Sequence, residues 1–423
     1  MRPPLSVAVV ARAVMPLHGV GGLERSVHDL VRHLAMRGVD VTLIVPPATS
    51  ETRQREDPFA SSRISIRHVS YLTFPMANRR GTTILDRSSS YLLYGWRAGR
   101  LAGSLVASGG AQIVHGFGAS VLGYATRKGT APLVMNPQGL EEFGATAAGQ
   151  PALKRAGYSP LRWAVRRCAD AADAIIATDV SLEPTVARHL RPRPGQMRTI
   201  PNGIDLVDVA ALAGPADAPM MRQRHGIGAG ELLLVSAGRL EFNKGFDVLA
   251  AALGRLARKD GPFTASGWRW VLVGAGPYQK TIEAAIAEHG IESHVLLTGR
   301  ASDRDLHAWY EAASIFVHPT RYEGSSLVTL EAMAHRKPVI ATVAGGLRDK
   351  VRPGDNGWLV EPGDVGALAL ALEEAASQAA ALPTMGARSR EIVEREFAWP
   401  VLADRQITVY EDLLAGAGGR STR

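Results

Sequence analysis

Two glutamates with seven residues between them are the strongest candidates for chemistry in this sequence. Glu323 and Glu331 enclose the segment EGSSLVTLE, directly after the apolar run IFVHPT. Ser325 or Ser326 can cap a helix that begins there, and the unpaired amides at a helix N-terminus bind anions. One carboxylate can accept hydrogen bonds from a hexose and the other from ribose hydroxyls. The segment therefore predicts a nucleotide-sugar site, although a loop glutamate and a helix-surface glutamate with no shared role have the same spacing.

A second candidate is a pair of basic residues in the segment SAGRLEFNKG. Gly238 lets a diphosphate come close to the backbone. Arg239 can donate two parallel hydrogen bonds to phosphate oxygens, and Lys244 adds a point charge. Together they would stabilise the negative charge of a departing nucleotide. Taken alone, surface salt bridges explain the pair equally well.

Two glycine-rich turns follow strand-like runs. The segment 19–24 (GVGGLE) matches a dinucleotide fingerprint at its first two glycines, but Glu24 stands where helix–strand packing needs a small residue. The turn at Gly274 has Gln279 in the corresponding position. This pattern disfavours a Rossmann oxidoreductase. It predicts glycine turns, at Gly21, Gly22 and Gly274, where phosphate or sugar oxygens meet backbone amides.

The remaining polar candidates favour a site that requires no metal ion. His115 ends the run QIVHGFG and can donate to a sugar hydroxyl, although a histidine packed under the next turn is an equal alternative. Asp303 and Asp305 have the spacing of a metal-binding pair, but they open a helical pattern, where acids favour the helix dipole. The only cysteine, Cys168, excludes an intramolecular disulfide and a cysteine-based zinc or iron–sulfur site.

The elements that position these residues form two alternating β/α series. The apolar runs of the first series are SVAVVARAV, VDVTLIVPP, QIVHGFG, PLVMNPQG and ADAIIATD. Those of the second are ELLLVSAGRL, WRWVLVGAGP, HVLLTGR, IFVHPT, KPVIATVAGG and GWLVEPGD. The fold class is therefore α/β, with two doubly wound Rossmann-like domains facing a central cleft. We expect domains at 1–205 and 206–395, and a helix at 396–415 that packs back toward the first domain.

Composition and charge agree with a cytoplasmic protein of this size. The 423 residues are 46% hydrophobic and 21% charged, and the apolar runs are too short for a membrane span, so we predict neither a transmembrane helix nor a signal peptide. Residues 1–205 contain 25 Lys and Arg against 14 Asp and Glu, a net charge of +11, whereas residues 206–423 contain 23 against 26, a net charge of −3. The basic half would attract phosphates or an anionic membrane surface, but an arginine-rich solvated surface explains it equally well. It contains no nucleic-acid-binding motif, so we expect no nucleic-acid partner.

Taken in order, the motifs resemble those of the retaining glycosyltransferases of family 4, a large GT-B family that includes bacterial mannosyl- and glucosyltransferases. The matching segments, with their positions, are GGLE (21–24), His115, PNGID (201–205), GRL (238–240), NKG (243–245), VGAGP (273–277), TGR (298–300), EGSSLVTLE (323–331) and AGGLRD (344–349). Two segments depart from the family pattern. Ser325-Ser326 replaces an aromatic or Pro followed by a small residue, and Gln138-Gly139 replaces a His-Gly pair, so the sugar is not identified.

The resemblance implies a role for each candidate residue. Arg239 and Lys244 would hold the donor diphosphate, Glu331 the ribose, and His115 the sugar. Gly21 and Gly22 would meet the β-phosphate, with Gly238 and Gly274 in the other glycine turns. The transferred sugar and its phosphate would contact a set made of Glu323, Gly324, Ser325, Ser326 and Leu327.

The implied activity is transfer of a hexose from a UDP-, GDP- or ADP-sugar to a glycan or lipid-linked acceptor, in cell-surface polysaccharide or glycolipid synthesis. No carboxylate is evidently placed as a glycosyl nucleophile, which favours attack on the same face that the nucleotide leaves. Residues 50–110 would shape the acceptor side. The alternatives are a GT-B-fold sugar-nucleotide epimerase, which would consume the donor without an acceptor, and a nucleotide-sugar-binding protein without turnover.

Overall fold

The computed structural model describes residues 4–19, 21–48, 59, 61–71, 88–137, 140–143 and 156–418. The chain divides into two compact units. Unit 1 consists of Met1–Asn202 together with Trp399–Arg423, and unit 2 consists of Gly203–Ala398.

Unit 1 contains, within its described residues, a seven-stranded parallel sheet in the order β3-β2-β1-β4-β5-β6-β7. The central strands are buried, as expected for apolar runs covered by helices on both faces of a parallel sheet. The strands are β1 (Ser6–Val10), β2 (Asp40–Val45), β3 (Ile64–His68), β4 (Ile113–Phe117), β5 (Leu133–Asn136), β6 (Ala174–Ala177) and β7 (Met197–Thr199).

Unit 2, whose residues are all described, contains a six-stranded parallel sheet in the order β10-β9-β8-β11-β12-β13. In both sheets the chain builds strands outward to one side and then reverses, which is the doubly wound order. The prediction of two Rossmann-like units is confirmed. The strands of unit 2 are β8 (Leu232–Ala237), β9 (Trp268–Val273), β10 (Val295–Gly299), β11 (Ile315–His318), β12 (Val339–Thr342) and β13 (Gly357–Val360).

Helices connect most of the strands and cover the sheets. In chain order the described α-helices are α1 (Gly22–Met36), α2 (Ser90–Ala107), α3 (Leu122–Thr126), α4 (Ser159–Ala171), α5 (Glu183–Leu190), α6 (Leu206–Leu212), α7 (Asp217–Arg224), α8 (Phe246–Ala257), α9 (Pro262–Ala265), α10 (Gln279–His289), α11 (Asp303–Ala312), α12 (Leu327–Ala334), α13 (Val365–Ser377), α14 (Leu382–Ile392) and α15 (Trp399–Gly418).

Two helix starts follow directly from sequence chemistry. Gly21 precedes α1, so the glycine turn does open a helix. At α11 the Ser302 side chain accepts from the Asp305 amide at 3.1 Å, and Asp303 and Asp305 occupy the first turn. The interpretation of this acidic pair as helix-start residues is therefore confirmed.

The last helix, α15, completes the core of unit 1 although it follows unit 2 in the sequence. Its residues Trp399, Leu402 and Tyr410 are buried in an apolar cluster with residues of α1 and of the unit 1 sheet. Among the described residues, no single helix is long and apolar enough to cross a membrane. A pair bent by 75°, Val365–Ser377 with Ala379–Phe397, would satisfy length and composition together.

Candidate functional site in unit 2

The site is built where the strand order of unit 2 reverses. Strands β8 and β11 are paired neighbours in the sheet. The loop after β8 contains Gly238, Arg239 and Lys244, and the loop after β11 contains Glu323. Because the carboxyl ends of parallel strands share one edge, both loops begin at the same place, which is the usual ligand position in open α/β sheets.

Glu323 is the centre of this cluster. Its Oε2 accepts from Lys244 Nζ at 2.6 Å and from His318 Nε2 at 2.7 Å. The side chains of Glu323 and Lys244 are only 13% and 17% exposed, and that of His318 is fully buried. The two loops are therefore joined by a largely buried ion pair supported by a neutral donor.

The protonation states follow from burial and from these contacts. Burial lowers the pKa of His318 more than the neighbouring Glu323 raises it, so the ring is neutral at pH 7. Burial alone would raise the pKa of Glu323, but the hydrogen bond from His318 and the charge of Lys244 outweigh it and hold the pKa well below its usual value. Glu323 is consequently an ionised carboxylate that accepts hydrogen bonds from its neighbours.

His318 is a residue that the sequence reasoning missed. It is the last residue of β11, in the run IFVH, and a histidine at the end of an apolar strand gives no sign of which loop residue it will meet. The available indication of a functional role was that His318 is a polar residue at the carboxyl end of a strand, next to the predicted site. Its ring places a donor against Glu323.

Two glycines allow the loops to approach one another. Gly274 has a φ of +146°, and a Cβ there would overlap the carbonyl oxygen of Gly238. Gly245 has a φ of +66°, and its Cβ would overlap the carbonyl oxygen of Pro319. Only glycine combines this backbone conformation with such close packing. The loops after β8, β9 and β11 are in direct backbone contact for this reason.

The helix after the EGSS segment is present, but its serines do not cap it. Ser326 precedes α12 without a side-chain bond to the backbone, so the predicted cap is wrong. Its Oγ instead lies 2.9 Å from Thr329 Oγ1 and 3.4 Å from His318 Nε2. The Oγ of Ser325 is buried and has no hydrogen-bond partner. Gly324 is exposed, and its amide donates to Glu323 Oε1 at 3.2 Å.

The second glutamate of the motif, Glu331, lies on α12. It is buried, with 5% of its surface exposed, and accepts from the hydroxyl of Tyr310 at 3.1 Å. Glu331 and Glu323 both belong to the segment that follows β11. Glu323 contacts Lys244 and His318, whereas Glu331 contacts Tyr310.

Arg239 takes a different position from Lys244. Its side chain is 71% exposed, and its Nε lies 3.1 Å from Glu241 Oε1. Among the described ion pairs, none joins Arg239 to Glu323. Its predicted role in holding a diphosphate is untested by these contacts and stays a prediction.

The remaining candidates belong to unit 1. Gly21 and Gly22 are exposed at the start of α1. His115 is 1% exposed, with Nδ1 2.6 Å from the Tyr410 hydroxyl, and burial lowers its pKa to about 3. The ring therefore contacts Tyr410 in the core, and its role toward a sugar stays a prediction. Gln138-Gly139 and much of the predicted acceptor segment 50–110 lie outside the described residues.

As far as the structure describes the chain, no three His, Cys, Asp or Glu side chains are grouped closely enough to hold a metal ion. The polar groups at the carboxyl edge of unit 2 are a lysine, two ionisable carboxyl groups, a neutral histidine and helix-start amides. These groups are suited to bind phosphate and hydroxyl oxygens.

Comparison with known proteins gives matches over both units. Residues 20–208 match the model of Glycosyltransferase Family 4, and residues 217–391 match that of Glycosyl transferases group 1. A glycogen synthase of Mycobacterium tuberculosis is 29% identical over 259 residues, which are 61% of this chain and 58% of that protein. A GDP-mannose-dependent alpha-(1-6)-phosphatidylinositol monomannoside mannosyltransferase of the same species is 30% identical over 257 residues, 58% of this chain and 64% of that one. The match thus spans about three fifths of each relative.

The fold has a close counterpart among solved structures. Sucrose-phosphate synthase from Thermosynechococcus elongatus superposes with a TM-score of 0.73 over 97% of this chain and 100% of that one, at 23% identity. The epimerase alternative is not favoured by these matches. Since the two family models cover nearly the whole chain in the order that the motifs indicate, the protein belongs to the family 4, group 1 glycosyltransferases.

Proposed function

We propose that this protein is a retaining hexosyltransferase. It moves a hexose from a nucleoside diphosphate sugar to a glycan or lipid-linked acceptor, in the synthesis of a cell-surface polysaccharide or glycolipid, and it requires no metal ion. The observation that carries the proposal is the Lys244–Glu323 pair at the carboxyl edge of unit 2, in a chain of this family. The proposed location is the cytoplasm, where a chain with a single cysteine needs no disulfide.

The proposed binding site for the sugar donor uses side chains and backbone amides of unit 2. Lys244, whose Nζ contacts Glu323 Oε2 at 2.6 Å, moves toward the diphosphate, which offers it a second anionic partner. Exposed Arg239 closes on the same phosphates. Glu331 accepts from the ribose hydroxyls, and Glu323 accepts from the hexose beside the amides of 324–327. In unit 1, Gly21 and Gly22 present backbone amides to phosphate.

The proposed chemistry is a front-face displacement. The bond between the anomeric carbon and the phosphate oxygen breaks, the acceptor oxygen bonds to the same face, and the released phosphate oxygen takes the acceptor proton. In this scheme Glu323 accepts hydrogen bonds from the hexose hydroxyls and does not lie behind the anomeric carbon, so it does not act as the nucleophile. The protein contributes positive charge where the leaving nucleotide becomes more negative, which lowers the barrier selectively.

For the acceptor, the proposal includes binding of the protein to an anionic membrane surface. Helices α2 and α4 bury one face in the same apolar cluster of unit 1, through residues such as Tyr94 and Val165. Their outer faces present Trp96 and Trp163, which are 45% and 57% exposed. Arg100 lies over the Trp96 ring at 5.1 Å. Exposed tryptophan beside arginine is typical of surfaces that bind anionic bilayers.

The donor assignment is tested with purified protein and UDP-, GDP- and ADP-sugars, without added metal. Thermal stabilisation and donor hydrolysis are measured for the wild type and for Lys244→Ala, Arg239→Ala and Glu331→Ala. We expect one nucleotide class to stabilise the wild type, and the two basic-residue variants to lose about 2–4 kcal/mol of transition-state stabilisation. The anomeric configuration of the product, read by NMR, reports retention. Full turnover in both basic-residue variants, or no response of folded wild type to any donor, would exclude the assignment.

A further inference from the structure

In unit 2 the Glu331 carboxyl group accepts a hydrogen bond from a buried tyrosine. Tyr310 lies on α11 and has no exposed surface, and its hydroxyl donates to Glu331 Oε2 at 3.1 Å. A buried phenol needs a hydrogen-bond partner, and a carboxylate is the strongest acceptor available to it.

The position of the tyrosine ring is fixed on several sides. Its centroid lies 5.5 Å from that of His307, 5.6 Å from that of Phe316 and 5.9 Å from that of His335. Packing on three sides by neighbouring rings leaves the ring little freedom to rotate, so the hydroxyl has a defined place.

A second polar chain holds α11 against the end of α12. His307 Nδ1 lies 2.8 Å from His335 Nε2, and His335 Nδ1 lies 2.6 Å from Glu311 Oε1. His307 and Glu311 flank Tyr310 on α11, and His335 directly follows α12, the helix that contains Glu331. This chain fixes the distance between the two helices, and with it the distance from the phenol to the carboxylate.

We propose that Tyr310 is a positioning residue that orients the Glu331 carboxylate toward the ribose of the nucleotide; this inference rests on the proposed donor site. The terminal torsion of a glutamate is broad, so a carboxylate without a fixed partner samples many orientations. A hydrogen bond to one oxygen restricts the plane of the group and thereby the direction of the other oxygen. The tyrosine contacts no substrate atom in this scheme.

The test compares ribonucleotides with analogues that lack the ribose hydroxyls. Dissociation constants of UDP, GDP and ADP, and of their 2′,3′-dideoxy forms, are measured by calorimetry for the full-length wild type and Tyr310→Phe. The substitution removes one oxygen and keeps the ring. We expect the wild type to bind its ribonucleotide much more tightly than the dideoxy form. In Tyr310→Phe this preference falls about tenfold, while the affinity for the dideoxy form is unchanged.

Tyr124→Phe is the matched control. Tyr124 is also buried, and its hydroxyl donates to a backbone carbonyl, that of Ala131, at 2.7 Å in unit 1. We expect the control, which also loses a hydrogen bond from a buried tyrosine, to keep the ribose preference. If Tyr310→Phe does not fold, Tyr310→Met, whose flexible side chain fills the same buried space, gives the same ratio.

The outcomes separate the two levels of the proposal. A Tyr310→Phe protein that keeps the wild-type ribose preference, or that loses affinity for both forms equally, overturns the positioning role alone. A folded wild type that binds none of the three nucleotides overturns the donor site and this inference with it. A selective loss of ribose preference in the variant supports both.

Discussion

Replacing Glu323 by Gln separates the two tasks that we assign to this residue. The substitution keeps the shape of the side chain but removes the charge that Lys244 Nζ meets at 2.6 Å and His318 Nε2 at 2.7 Å. Removing one partner of a fully buried ion pair costs about 3–5 kcal/mol. Because Glu323 is 13% exposed and Lys244 17% exposed, and because the amide oxygen still accepts a hydrogen bond, we expect about 2 kcal/mol of destabilisation.

The effect on nucleotide binding has the opposite sign. In the wild type, Lys244 is shared between Glu323 and an incoming phosphate, whereas in Glu323→Gln it is free for the phosphate. We therefore expect the nucleoside diphosphate alone to bind the variant at least as tightly as the wild type. Sugar transfer, in contrast, falls about 10²–10³-fold, because the hexose loses its charged acceptor in the transition state.

Three measurements check this prediction. Thermal unfolding of unit 2 should shift down by about 4–8 °C, since 1 kcal/mol is about 2–4 °C for a domain of this size. Calorimetry gives the affinity for the nucleotide, and a coupled assay gives the turnover. Glu288→Gln, at an exposed position on α10, is the matched control and should match the wild type in all three. Weaker nucleotide binding in Glu323→Gln, or unchanged turnover, would refute the reasoning.

The other predictions concern packing, pH and the membrane. Gly274→Ala should destabilise unit 2 by about 3 kcal/mol or more in chemical denaturation, because its Cβ meets a backbone carbonyl, whereas Gly290→Ala, at a φ of +66° with open space around it, costs about 1 kcal/mol. The pKa of His115 is about 3 in the folded protein and about 6.5 in the unfolded chain, so the unfolded chain binds the proton first as the pH falls. The free energy of unfolding therefore decreases as the pH drops through this window, with a slope of up to about 1.4 kcal/mol per pH unit, and His115→Gln removes this slope. The double substitution Trp96→Ser and Trp163→Ser should weaken binding to phosphatidylglycerol vesicles about tenfold.

Each of these has a result that contradicts it. Equal unfolding free energies of the two glycine variants would show that the loops after β8 and β9 tolerate a side chain. If His115→Gln leaves the pH dependence of the unfolding free energy unchanged, a group other than His115 determines that dependence. Vesicle binding that the tryptophan variant retains, or binding to phosphatidylcholine as strong as to phosphatidylglycerol, would count against membrane binding through Trp96 and Trp163.

The fold was accessible from the sequence because parallel strands buried on both faces are nearly continuous apolar runs. The predicted runs in each half are strands, and the residues just after them lie at one edge of a sheet. Lys244 and Glu323 were proposed separately, from separate motifs, and lie 2.6 Å apart. Their meeting follows from the pairing of β8 with β11, which is a property of the topology.

What the sequence did not indicate are the partners inside the core. His318 and Tyr310 each lie in an element whose sequence pattern predicts a buried side chain at that position. Spacing along the chain does not reveal which carboxylate a buried ring will contact. The expected serine cap was wrong for the same reason, since Ser326 has His318 and Thr329 within reach and does not bond to the backbone. Side-chain competition of this kind is decided by tertiary contacts.

The return of the chain to unit 1 has a consequence for how the protein is made. Unit 1 lacks part of its core until α15 is present, because Trp399, Leu402 and Tyr410 supply buried surface to it. During synthesis on the ribosome, part of the apolar face of the N-terminal sheet therefore stays uncovered until the whole of unit 2 has been synthesised. Unit 2 is one continuous segment and can fold during this time. A chain that ends at residue 398 retains every residue of unit 2 but leaves the first half of the protein without its final helix, open to aggregation and proteolysis.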